Sequence, residues 1–109
     1  MPTTYKVLGQ SNPSATTLTT LYTVPSSTST VVSTITIANL AGSSGTFRIA
    51  IRQAGASIAN SQYLAYDTTI AALDTLTLTL GITLATTDVI SIYASTANMS
   101  FAAYGSELT

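Results

Sequence analysis

The chain has 109 residues, of which three are Lys or Arg, four are Asp or Glu and none is His or Cys. Charged side chains make up 6% and the formal net charge is -1, where ordinary domains carry about 25% charge. These numbers exclude a disulfide framework, a thiolate metal site, the commonest general base and the basic footprint that nucleic acid needs. The length suits one domain. Thr, Ser and Ala stand where charges are usual, and no apolar run approaches the ~20 residues that span a bilayer. Met1–Gln10 has neither the basic start nor the apolar centre of a signal peptide.

Met1–Thr4 reads as a tail or arm, and Tyr5–Gly9 as a short strand with Tyr5 and Val7 on one side. Asn12-Pro13 is turn chemistry. Thr19–Val24 is a second strand, closed by Pro25, which cannot donate to a ladder and belongs at an edge or an end. Thr30–Arg52 is the stretch around which the rest is organised. In TVVSTITIANL, Val31, Ser33, Ile35 and Ile37 share one face and Thr34 and Thr36 the other. After AGSSG, the segment TFRIAIR places Phe47, Ile49 and Ile51 against Arg48 and Arg52. This period of two predicts paired antiparallel strands with Gly42–Gly45 as the hairpin loop.

Gln53–Asn60 reads as a loop, since Gly55 argues against a helix of any length. Gln62–Asp67 is a strand and an edge candidate, and Thr68–Leu73 a connection with room for one helical turn. Asp74–Leu80 alternates cleanly, Leu76, Leu78 and Leu80 inward and Thr75, Thr77 and Thr79 outward, until Gly81 interrupts it as a bulge would. Val89–Ser95 and Met99–Gly105 complete about eight short strands at spacings of roughly 8–12 residues. The expected fold is all-β: one antiparallel β-sandwich over residues 1–109, jelly-roll-like or immunoglobulin-like. Its predicted core is Val31, Ile35, Ile37, Phe47, Ile49, Ile51, Leu76, Leu78, Leu80, Ile90, Ile92, Met99 and Phe101.

Catalytic, cofactor and metal residues are not expected. Asp67, Asp74 and Asp88 each sit where a strand begins or ends, and turn capping accounts for that placement better than a calcium loop, which wants ligands at close spacing. Gly42-Ser43-Ser44-Gly45 is not a nucleophile elbow, and no His stands by to activate a serine. Protein contact is the expected role of Arg48, Arg52, Tyr63 and Tyr66. The two arginines share a strand face, where they either pair with nearby acids or meet another chain. Tyr63 and Tyr66 lie three apart, which on a regular strand puts them on opposite sides. With Asn60 and Asp67 they are nonetheless the one cluster of the kind that saccharide recognition calls for. Tyr22, Tyr93 and Tyr104 fit strand positions with a buried ring and a wet hydroxyl.

YKVLGQ (Tyr5–Gln10), LYTVP (Leu21–Pro25), FRIAIR (Phe47–Arg52), QYLAYD (Gln62–Asp67), TLTLTLGITL (Thr75–Leu84) and SFAAYGSEL (Ser100–Leu108) together resemble small β-rich virion proteins of tailed bacteriophages, with cyanophages as the setting. The resemblance is a texture of strands and turns over nearly the whole length. It implies a non-enzymatic structural protein of a virion, made in the bacterial cytoplasm. The first reading is a capsid cement or decoration protein bound across adjacent major capsid proteins. The alternative is a tail, neck or baseplate component, with receptor or saccharide binding open to it. The implied partners are the major capsid protein and further copies of the chain, as a trimer at local threefold positions, with no nucleic acid and no membrane. The composition points to self-association too. Gln62–Asp67 and Met99–Gly105 lack the Lys or Pro that normally guards an edge strand.

Overall fold

The computed structural model describes residues 2–109, so Met1, the start of the expected tail, lies outside the described residues. The strands are β1 (Thr3–Ser11), β2 (Thr19–Thr23), β3 (Ser29–Asn39), β4 (Gly45–Arg52), β5 (Tyr63–Ile70), β6 (Thr75–Leu84), β7 (Val89–Ala94) and β8 (Met99–Leu108). They form two four-stranded sheets, in the orders β1-β8-β3-β6 and β2-β7-β4-β5. Every pairing is antiparallel. Strand one pairs with eight, two with seven, three with six and four with five. That is a long hairpin rolled over on itself, the jelly roll, and not the immunoglobulin order.

The topology corrects the hairpin expected over Thr30–Arg52. β3 and β4 lie in different sheets and face each other across the core. Alternation shows which face of a strand is buried, and it is the same whether two strands pair edge to edge or pack face to face. Gly42–Gly45 is therefore part of a crossing between sheets. Buried Asn39 pins that crossing: its amide donates to the carbonyls of Ser43 (2.9 Å) and Ala71 (3.1 Å), and its Oδ1 accepts from the Ala41 amide (3.1 Å). The expected tail is also shorter, because Thr3 and Thr4 pair with Leu108 and Glu107. The connection expected from Thr68 is strand as far as Ile70.

The core lies between the sheets. Ile35, Ile37, Phe101 and Met99 from one side meet Phe47, Ile49, Ile90 and Ile92 from the other, all essentially inaccessible. Phe47 and Phe101 cross edge to face with centroids 6.3 Å apart, an arrangement favoured by the ring quadrupole. Ile51, Leu76 and Leu78 are partly buried against this core, as predicted. Val31 and Leu80 are not in it: they are 38% and 44% exposed, and Val32 is buried instead. A bulge is the cause. The register shifts between Val32 and Thr34 against both neighbours: Ser33 is extra against β8, while against β6 the single Ser33 faces two residues, Leu80 and Gly81, and the faces of β3 exchange across the break. Opposite, Gly81 takes φ +62°, where L side chains are strained, and Leu80 is carried outward. Gly105 completes the site, since a Cβ there would overlap the Val31 carbonyl.

Candidate functional site

The sheet β2-β7-β4-β5 turns an aromatic cluster outward. Its floor is set by register: Arg48 lies opposite Tyr93 on β7, and Ala50 opposite Ser91 and Tyr63. β5 is irregular against β4 between Tyr63 and Ala65 and again between Ala65 and Thr68. Asp67 takes φ +50° in the second irregularity. It is the first irregularity, where Leu64 is extra between Tyr63 and Ala65, that returns Tyr66 to the face that Tyr63 already occupies. The expectation that the two tyrosines face opposite sides is thus overturned by a bulge. Their rings meet edge to face, centroids 4.8 Å apart and planes at 83°.

Arg48 holds the cluster together. Its guanidinium carbon lies 4.2 Å from the ring centroid of Tyr66 and 4.2 Å from that of Tyr93. Its Nε donates to Asp67 Oδ1 at 2.6 Å and its Nη2 to Oδ2 at 3.3 Å. The planar fork suits both the carboxylate and the aromatic faces, which a lysine would not. Hydrogen bonding to Arg48 holds the Asp67 carboxyl below its ordinary value. Tyr66 remains 56% exposed. The Asn60–Gln62 turn forms the lip, and Gln62 clamps it, accepting from the Ala59 amide (2.7 Å) and donating to the Ser57 carbonyl (3.1 Å). Asn60, Tyr63 and Tyr66 line a cleft of ≈ 280 Å³.

Of the four residues expected at a protein contact, the structure brings Arg48, Tyr63 and Tyr66 together and sets Arg52 apart. Arg52 donates to the carbonyls of Ala56 (2.7 Å) and Gly55 (3.0 Å) and reaches Ser91 Oγ at 3.4 Å, so it fastens the loop after β4. Tyr93 is the member that sequence reasoning did not place here. Its role follows from lying across from Arg48, which no local pattern announces.

The remaining acids are engaged within the fold. Asp74 accepts from the Thr75 amide (2.8 Å), and Asp88 from the amides of Ala54 (2.8 Å) and Ala85 (2.9 Å), the capping expected of both. Glu107 pairs with Lys6 at 3.0 Å and accepts from the buried Tyr22 hydroxyl, which also meets Thr30 Oγ1 at 2.8 Å. The Tyr22 hydroxyl is therefore not wet. Burial, then the Glu107 carboxylate, push it up to about 12. The same hydrogen bond, with that of Lys6, holds Glu107 below the ordinary glutamate value. Among the described residues no group of three or more His, Cys, Asp or Glu is placed to hold a metal ion.

The outer face of β1-β8-β3-β6 is different in kind. Its rows, read across the register, are Thr75–Ala38–Ser100, Thr77–Thr36–Ala102–Gln10, Thr79–Thr34–Tyr104–Val7 and Thr83–Val31–Ser106–Tyr5. No charged side chain stands in them. The sheet's charged pair, Lys6 and Glu107, belongs to the opposite rows and bonds to itself. Shallow grooves of ≈ 450 and ≈ 460 Å³ flank Tyr104 on this face, the second edged by Lys6, whose ammonium is paired with Glu107. No family model, no curated protein and no solved structure matches this chain.

Proposed function

We infer that this chain is a non-enzymatic structural protein that lies flat on a larger protein assembly, with the outer face of β1-β8-β3-β6 as its attachment face. The observation behind this reading is the charge-free array of Thr, Ala, Ser, Val and Tyr across four strands. Such a face desolvates without stranding a charge, and the interiors of protein interfaces are depleted in charge in the same way. Strand spacing and rise give it a footprint of roughly 500 Å². A standard interface buries about 800 Å² on each partner, so one copy alone would hold weakly. Many copies repeated by the symmetry of a shell hold well.

The resemblance to phage virion proteins makes that shell a capsid and the chain a decoration protein bound across neighbouring capsid subunits, self-associated as a trimer at threefold positions. The tail, neck or baseplate alternative has one observation in its favour, the exposed aromatic corner on the opposite sheet. Copy number distinguishes them. Quantitative mass spectrometry of particles purified from cells that make the protein should find hundreds of copies per particle. A handful would move the chain to the tail or neck, and absence from purified particles would contradict the virion reading.

A further inference from the structure

We propose that the corner formed by Tyr63, Tyr66 and Asn60 is a binding site for a neutral sugar ring. The argument begins with shape. Two rings at 83° line one cleft with Asn60. At ≈ 280 Å³ the cleft suits a single pyranose and not a helix or a strand. A pyranose has an apolar face of C–H groups and a rim of hydroxyls. A tyrosine ring accepts the first and offers its own hydroxyl to the second. Asn60 adds a carboxamide that both donates and accepts.

Order is the second point. Tyr66 is 56% exposed, yet Arg48 stacks on it, Asp67 clamps Arg48, and Gln62 fixes the turn that carries Asn60. A ring held in place before binding loses little rotamer freedom on binding. Charge is the third. The one cation of the cluster is already paired with Asp67, so the corner has no surplus charge with which to select a phosphate, a sulfate or an acidic sugar, and the ligand class is neutral. The site lies on the sheet opposite the proposed attachment face, so it would stay open on a docked molecule.

A monosaccharide of about a dozen heavy atoms at ordinary ligand efficiency binds such a site with Kd on the order of 1 mM, and display of many copies raises the avidity. The test is saturation-transfer NMR on the whole chain with glucose, galactose, mannose, N-acetylglucosamine, their short oligomers and sialic acid as probes. At least one neutral sugar should take up saturation and shift the Tyr63 and Tyr66 ring resonances. Tyr66→Ala should weaken binding at least tenfold and Asn60→Ala several-fold, while Tyr66→Phe retains most of it because the ring face remains. Asn60→Ala keeps the test decisive if Tyr66→Ala fails to fold, since Asn60 is exposed. The proposal is overturned if no neutral probe binds at 20-fold the expected Kd, if binding ignores both substitutions, if sialic acid binds best, or if Tyr66→Ala instead abolishes self-association of the chain. Particle docking by the Tyr66→Ala protein would be unaffected, which separates failure here from failure of the attachment reading.

Discussion

At the scale of single residues, the bulge at Ser33 decides which valine is structural. Val32 is fully buried and Val31 is not. Val32→Ala should cost about 2 kcal/mol in chemical denaturation, while Val31→Thr should stay within about 0.5 kcal/mol. Equal effects would remove the bulge from the account. Tyr22 gives a prediction with a pH signature. Its folded value of about 12 lies above the ordinary 10.0, so its contribution is complete below pH 10 and is lost as pH rises toward 12. Glu107 and Asp67 are shifted the other way. Their contributions are present above the unfolded carboxyl values near pH 4 and vanish as pH falls through the lower folded ones. Stability should therefore be flat between about pH 5 and 9 and fall at both ends. Tyr22→Phe should cost about 1–3 kcal/mol at neutral pH and flatten the alkaline fall in a series of thermal melts.

At the scale of elements, the strands were legible and their neighbours were not. Period-two alternation in Ile35–Ile37, Phe47–Ile51 and Leu76–Leu78 marks the buried faces correctly because the core alone sets it. Alternation does not say which strand lies alongside. Hence Met99–Gly105, expected as a bare edge, is the interior strand β8, held between β1 and β3. The observed edges are β1, β2, β5 and β6. β1 and β5 carry register breaks, and β2 is five residues long and leads into Pro25, all devices that blunt an edge. β6 is ten residues long and has neither Lys nor Pro, and although its register breaks at Leu80 and Gly81, its unbroken stretch from Thr75 to Thr79 is the edge best suited to pair with another copy. Bulges were the second thing hidden. The serine among the apolar residues of β3 was the available sign, while on β5 an ordinary leucine, Leu64, is the extra residue, and nothing in the pattern announced that Tyr63 and Tyr66 would share a face. Hydrogen exchange checks the order directly. The amides of Phe101 and Ala103 should be among the slowest, and the outward-directed amides of Thr75–Leu84 clearly faster. Rapid exchange along β8 would contradict the topology.

At the scale of the whole molecule, the two sheets present outer faces of different kinds. One is an array of mostly small uncharged side chains; the other carries an aromatic corner on the opposite side of the molecule. The scarcity of charge reads differently once the fold is known. Of the seven formally charged side chains, Lys6, Glu107, Arg48 and Asp67 pair with one another, and Arg52, Asp74 and Asp88 hold loops and turns. All are spent within the fold, and the face of β1-β8-β3-β6 is left neutral. The most direct test of that division is co-sedimentation of the purified chain with particles stripped of it, comparing the wild type with a Thr34→Lys, Thr36→Lys double variant. These positions are outward, at the centre of the face, so the variant should keep its melting temperature within a few degrees. The account predicts that the wild type rebinds and the stably folded double variant does not; a double variant that rebinds as well as the wild type would contradict it.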